Sequence, residues 1–302
     1  MGARNVSPSV GQRSRATGPW GQERRLEFID FRLQWEGRLN RSDLMTHFGI
    51  SVPRASSDIA SYAELAPGNL AYDRSARIYV ATQRFSPIFP TSNAEHFLND
   101  LLALSTSTLG AEGSFIGDFP SVAMAASPAR SVPAEVLASV VRAIRAHSYV
   151  YVLYQSMSRQ EPAWRRISPH GLGHDGFRWH ARTFCHSRGA FRDFVFARML
   201  MVKAGEASTV NTEDDSAWFT KMSLVLEPNV KLGVSKRRVV ELDYGMTDGK
   251  LVLETRQAML FYVLQRLGLN RDGELRPEAQ QIQLKNVTEV RIVLDGLAKS
   301  YD

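Results

Sequence analysis

Residues 165–199, RRISPHGLGHDGFRWHARTFCHSRGAFRDFVFARM, alternate polar and apolar side chains on both sides of Ser187-Arg188-Gly189. Period-two alternation is the mark of a strand, whose successive side chains point to opposite faces. Two such runs around a Gly-containing break predict a hairpin. One face of the first strand carries Arg178, His180, Arg182, Phe184 and His186, and one face of the second carries Arg192, Phe194, Phe196 and Arg198. A turn at 187–189 would join these faces into a wall of arginine, histidine and aromatic rings. Guanidinium forks match phosphate geometry and rings accept stacked bases, so the wall suits a phosphate-bearing or nucleic-acid ligand. Asp193 is the one acid between residues 176 and 203, and is expected on the opposite face.

The 302 residues suggest two or three domains. Cys185 is the single cysteine, which excludes an intrachain disulfide and a multi-thiolate zinc site and fits a reducing compartment. No apolar run approaches the roughly 20 residues of a membrane span, and the N-terminus carries no apolar signal region. A cytoplasmic protein with no membrane partner, metal or cofactor is expected. The formal net charge of +6 is compatible with a polyanionic partner.

Residues 1–20 are rich in Gly, Ser, Pro and Arg and are expected to form a disordered basic arm. Residues 21–85 then show three helical segments and a hairpin. Leu26, Phe28, Ile29, Leu33 and Trp35 have broad helical spacing; a second helix covers 40–48, capped by Asn40 or Ser42; Gly49 breaks it. Ser51 is placed to cap a third helix running to about Glu64, with Pro53 in its tolerated first turn. Two short helices around a Gly turn form a helix-turn-helix. The short polar groups Ser51, Ser56, Ser57 and Ser61 and the one arginine, Arg54, with Arg41 and Ser42 on the second helix, suit phosphates and base edges. Residues 69–72 and 77–80 around the turn at 73–76 read as a hairpin wing, with Arg74 and Arg77 reaching the DNA backbone or minor groove.

Residues 86–147 read as a helical linker, with helices over 94–104 and 133–147. Residues 148–205 are strand-rich, about five short strands that suggest a small barrel. Residues 215–302 read as an α+β module. Within it strands are expected at 218–226, 250–254 and 286–293, a helix at 256–267, and either state at 236–244.

His170, His174, His180 and His186 lie close in sequence and raise a histidine-dependent nucleic-acid-processing enzyme as an alternative. Glycines at 171, 173 and 176 argue against a helix presenting His170 and His174 together, and there is no HExxH, P-loop or GxSxG. The expectation is therefore not an enzyme. A non-regulatory RNA-binding protein is the other alternative.

The residues also carry a resemblance. Tyr154-x-Ser156, Arg166-Ile167-Ser168-Pro169-His170-Gly171-Leu172, the Trp179 segment and Arg192-x-Phe194-x-x-x-Arg198 resemble a WYL domain, although the naming tripeptide stands here as Trp179-His180-Ala181. The segment GISVPRASSDIASYAELAPGNLAYDRSARIYV resembles the winged helix-turn-helix of the WYL repressors of the CapW and BrxR phage-defence type. The C-terminal stretch resembles the extension that follows the WYL domain in those proteins. The resemblance implies an α+β multidomain chain: a winged helix-turn-helix, a helical linker, a small Sm-like or SH3-like β-barrel and an α+β dimerisation module. It implies a homodimeric repressor on an inverted-repeat operator of double-stranded DNA. It further implies an anionic effector, such as single-stranded nucleic acid or an oligonucleotide, at Tyr154, Ser156, His170, His180, Arg182, Arg192 and Arg198. The strand reading reaches His180, Arg182, Arg192 and Arg198 independently and adds Phe194 as a stacking ring.

Overall fold

The structure is a computed structural model that describes residues 19–301, apart from 109, 111, 112, 119, 126, 127, 129 and 271–275. The arm expected at 1–20 lies outside the described residues up to 18; Pro19 already opens the first helix. The chain divides into two compact units, Met1–Ala126 and Ser127–Asp302. No helix among the described residues is long and apolar enough to cross a membrane.

The first unit begins with α1 (Pro19–Glu36), followed by β1 (Arg38–Leu39), α2 (Arg41–Phe48), α3 (Val52–Leu65), β2 (Leu70–Asp73), β3 (Ile78–Ala81) and α4 (Ala94–Ser105). Ala55, Ile59, Tyr62 and Ala66 recur along one face of α3 and its C-cap, and all are buried with Phe28, Phe31 and Leu33 of α1 and Leu44 of α2. Gly49 ends α2 in the left-handed region at φ 63°, its N–H on the Met45 carbonyl at 2.9 Å. That conformation suits glycine, which has no Cβ to clash, and it turns the chain into α3. Strand β3 lies between β1 and β2, an antiparallel sheet whose first strand was not anticipated. Arg77, expected in the strand, sits in the turn with φ 57°. Phe97 of α4 stacks on Trp35 at 4.4 Å. The segment expected as one linker over 86–147 is thus divided: α4 packs in the first unit, and the next helix packs in the second.

In the second unit α5 (Ala134–Arg145) lays Val136, Val140 and Ala143 on Val150, Val152 and Ile167 of a five-stranded antiparallel sheet. Its strands are β4 (Ser148–Tyr154), β5 (Ala163–His174), β6 (Trp179–Cys185), β7 (Ala190–Val195) and β8 (Met199–Ala207), paired in the order β7-β6-β5-β4-β8. The rest contains α6 (Ser216–Phe219), β9 (Lys221–Pro228), α7 (Val234–Asp243), β10 (Leu251–Arg256), α8 (Leu260–Arg266), β11 (Ile282–Leu284) and α9 (Val287–Tyr301).

Two expectations change here, and the open reading of 236–244 is decided. Trp218 belongs to α6, because Asp215 accepts its N–H and caps a helical turn before β9 begins. Residues 236–244 are helical for most of their length. The strand expected at 286–293 is the start of α9: Val290, Val293 and Leu294 have helical spacing and pack on Leu260 and Leu264.

Candidate nucleic-acid interface

In the first unit α3 is anchored from below. The Arg25 guanidinium donates to Asp58 at 2.6 and 3.3 Å, and both side chains are fully buried. Asp30 accepts from the Tyr62 hydroxyl and the Ser92 hydroxyl, both at 2.6 Å, and from the N–H groups of Ile88 and Phe89. Burial and this carboxylate push the Tyr62 phenol well above its usual range. These contacts fix the buried side of α3 and leave the other side to solvent. Ser51 and Ser57 are exposed, and Arg54, Ser56 and Ser61 are partly exposed on the outward side. Arg54 lies 3.5 Å from Asp58, one turn on. Ser51 takes the N-cap position, but its hydroxyl makes no capping hydrogen bond. Arg41 and Ser42 are exposed at the start of α2, where Asp43 accepts the Asn40 N–H at 2.7 Å. At the wing tip Asp73 accepts the N–H groups of Ser75 and Ala76 at 2.8 and 3.0 Å, and Arg74 and Arg77 are exposed. The first unit therefore brings the expected DNA-facing residues onto a helix pair and a turn that present short polar groups and cations to solvent.

In the second unit the expected cationic wall is not formed. Cys185 pairs with Ala190, so the connection His186–Gly189 is one residue longer than the turn at 187–189. That single residue reverses the facing of the second strand, since side chains alternate. Arg182 is opposite Asp193, and Arg192 is opposite Thr183 on the other side of the sheet. Phe194 accordingly faces inward, 5 % exposed, with its ring 4.7 Å from that of Tyr154. The Tyr154 hydroxyl accepts the Val195 N–H at 3.3 Å.

Arg182, 2 % exposed, is committed to carboxylates. It donates to Asp215 at 2.7 and 2.8 Å and to Asp193 at 3.3 Å. His170 Nε2 lies 3.0 Å from the same Asp215, and the Tyr262 hydroxyl donates to Asp193 at 3.1 Å. Burial alone would raise the Asp215 carboxyl, but the Arg182 and His170 contacts prevail and hold it at about 2. His180 is buried, with Nε2 3.0 Å from Asp175 and its ring 4.9 Å from Tyr262. Desolvation works against the Asp175 carboxylate as well, yet two backbone N–H groups, Arg178 and His180 keep it well below the usual range. A buried arginine without partners would be very costly, so these acids are what make the position tolerable.

Sequence reasoning missed Asp175, Asp215 and Tyr262. The available signal was Arg182 itself, a cation between the small residues Ala181 and Thr183 in a strand that also carries Trp179, Phe184 and Cys185. Ser156, Arg192 and Arg198 remain partly exposed. Arg192 lines a cavity of about 360 Å³ with Asp193, Gln257, Phe261 and Tyr262 among others. The Arg198 carbonyl accepts the Gln155 N–H at 3.0 Å, while Ser156 lies 3.3 Å from the Ser158 hydroxyl.

Comparison with known proteins agrees with this geometry. Residues 21–103 match the BrxR transcriptional regulator winged helix-turn-helix domain, 135–204 the WYL domain and 221–290 the BrxR transcriptional regulator C-terminal dimerization domain. The DNA-binding transcriptional repressor CapW of Escherichia coli (strain KTE188) is 43 % identical over 284 residues, 94 % of this chain and 95 % of that protein. The chain belongs to the CapW family of DNA-binding transcriptional repressors. The CapW repressors of Pseudomonas aeruginosa and Stenotrophomonas maltophilia are 44 % and 45 % identical, each covering 90 % of this chain and 91 % and 92 % of their own lengths. Among solved structures, proteasome accessory factor B/C of Arthrobacter aurescens aligns at a TM-score of 0.26 and 16 % identity, covering 100 % of this chain and 52 % of that one, too slight a likeness to bear on the fold. The family accounts for the three-part organisation that the resemblance implied, with a winged helix, a WYL module and a dimerisation module in that order.

Proposed function

We propose that the chain is a homodimeric repressor that reads an inverted-repeat operator with α3 and answers to an anionic effector through its WYL module. The observation that carries the DNA reading is the outward side of α3. It pairs Arg54 and Ser57 with other short polar groups, on a helix clamped from behind by Arg25 and Asp58. A helix held this firmly can enter a major groove without loss of register, and short side chains let its backbone approach the base edges. Ser51, Ser56 and Ser61 complete this surface, Arg41 and Ser42 meet phosphates beside it, and Arg74 and Arg77 of the wing reach the backbone or minor groove. A two-fold dimer then demands half-sites about one helical turn apart, or a multiple of it.

For the effector, Arg182 and His180 serve the interior and bind it only indirectly. Arg192 and Arg198 supply the accessible charge, and the cavity beside Arg192 offers Phe261, Tyr262 and the Gln257 amide to a planar ligand. An effector lowers operator affinity only to the extent that it prefers the dimer geometry that fits the half-sites poorly.

The test is an anisotropy titration of labelled duplex from the DNA upstream of the chain's own gene. Arg54→Ala and Ser57→Ala are expected to weaken binding by about 1–3 kcal/mol wherever the side chain reads a base. Arg74→Ala and Arg77→Ala are expected to weaken specific and random duplexes alike and to flatten the salt dependence. Unchanged operator affinity in an Arg54→Ala, Ser57→Ala double variant would remove α3 from its role.

A further inference from the structure

Residues 105–132, between α4 and α5, are rich in Ser, Gly, Ala and Pro, and Phe115-Ile116 stands out among them as an adjacent apolar pair. A connection running through solvent would leave both side chains to water. Instead residues 114–117 lie against the first unit. Ser114, Phe115 and Ile116 are 1, 2 and 7 % exposed, and Phe115 and Ile116 belong to the same core as Phe28, Phe31 and Leu44. They stand beyond residues 21–103, the part that matches the winged helix.

The Phe115 ring is wedged between α1 and α2. Its centroid is 5.3 Å from Phe28 and 5.8 Å from Phe31 on α1, and 5.6 Å from His47 and 6.4 Å from Phe48 on α2. The Arg24 guanidinium lies over the same ring at 4.1 Å. Polar contacts fasten both ends of the segment. The Ser114 hydroxyl donates to Asp100 of α4 at 2.8 Å, and the Gly117 N–H donates to Glu36 at the end of α1 at 2.9 Å. Gly117 has no room for a side chain, because a Cβ there would meet the Arg32 guanidinium at 1.8 Å. That guanidinium also reaches the Phe115 carbonyl at 3.4 Å and Glu36 at 3.0 Å.

His47 and Phe48 are the last residues of α2, directly before the Gly49 turn into α3. The wedge therefore braces the base of that turn from the side of α1. Withdrawing a large buried ring leaves a cavity that its neighbours close only in part, which frees the last turn of α2 to shift and α3 with it. The segment itself has no regular secondary structure, a mark of parts that open before the helices around them. From Gly117 the chain continues through residues 118–133 into α5 of the second unit.

We propose that residues 114–117 are a strap whose docking holds α3 in the operator-reading arrangement and whose release lowers operator affinity, with Phe115 as the positioning residue. This rests on the reading of α3 as the operator-reading helix and adds to it a device outside the matched winged helix. Docking and operator binding are then linked: whatever factor the docked strap adds to operator affinity, the operator adds to docking. The buried strap needs no contact with DNA for this.

The experiment follows hydrogen exchange of the Ile116 and Gly117 amides in the intact chain, free and saturated with operator duplex. The same duplex is titrated with Phe115→Ala, Phe115→Leu and Gly117→Ala. In the free chain both amides are expected to exchange faster than those of α1 beside them, and about tenfold more slowly once the operator is bound. Phe115→Ala is expected to lose about tenfold in operator affinity, because apparent affinity falls with the competent fraction, while Phe115→Leu stays close to the parent. Gly117→Ala, which displaces Arg32, is expected to lose about threefold or more. A merely structural role would lower thermal stability in these variants, yet leave their affinity unchanged well below the melting temperature and the two amides indifferent to the operator. Either of those results overturns the proposal. If Phe115→Ala unfolds the first unit, Gly117→Ala and the exchange rates decide, since Gly117 is exposed and its substitution removes nothing from the core. Normal operator binding by the Arg54→Ala, Ser57→Ala variant would overturn the operator reading and the strap's link to it together. Loss in that variant, with normal binding by Phe115→Ala and Gly117→Ala, overturns the strap alone.

Discussion

Arg182 shows how a single side chain changes its meaning once its partners are known. In the sequence it stands in a run of arginines and histidines and invites a phosphate; in the fold it is saturated by Asp215 and Asp193. Truncation would leave the buried Asp215 and the partly buried Asp193 without their arginine. Arg182→Ala is therefore expected to cost about 3–5 kcal/mol in chemical denaturation, the range for breaking a buried pair. A cost below 1 kcal/mol would contradict that account. The pH dependence follows from the same contact. The Asp215 carboxyl is held at about 2 against 3.8 for the free group, so the folded state favours its ionised form. The resulting stabilisation is complete above about pH 4 and is lost as pH falls through about 2. Asp215→Asn is expected to be less stable at neutral pH and to show a shallower acid limb between pH 4 and 2. An acid limb of unchanged slope in that variant would assign the acid loss to other groups.

At the scale of elements, what could be read in the sequence and what could not divide along a physical line. Helices α2 and α3 and the wing were legible because Gly49, Pro53 and the turn at 73–76 are local signals, each acting within a few residues. The hairpin of β6 and β7 was legible as a hairpin, but its facing was not. One residue in the length of the loop decides which side chains share a face, and nothing in His186-Ser187-Arg188-Gly189 fixes whether three or four residues turn. The acids that complete the interior were illegible for a related reason: Asp215 is 33 residues from Arg182, and only tertiary packing brings them together. Gly49 offers a test at this scale. Gly49→Ala places a Cβ in the left-handed region at a helix C-terminus and is expected to cost about 1 kcal/mol. It should lower operator affinity further, if the turn sets the angle between α2 and α3. A variant as stable as the parent would show that the turn tolerates a side chain and does not fix that angle.

For the whole molecule, the central claim is that two copies of the chain hold one operator through their α3 helices. Each copy contributes one half-site contact, and joining the two raises the effective concentration of the second. Isologous dimers match the symmetry of an inverted repeat, which ties the dimerisation module matched at residues 221–290 to the winged helix matched at 21–103. Sedimentation velocity of the intact chain on a labelled duplex that carries the inverted repeat, beside one that carries a single half-site, tests this directly. The account predicts two chains per inverted repeat at nanomolar protein, much weaker binding to the half-site, and no complex with the Arg54→Ala, Ser57→Ala variant at the same concentration. One chain per duplex, equal affinity for the half-site, or an undiminished complex with that variant would contradict it.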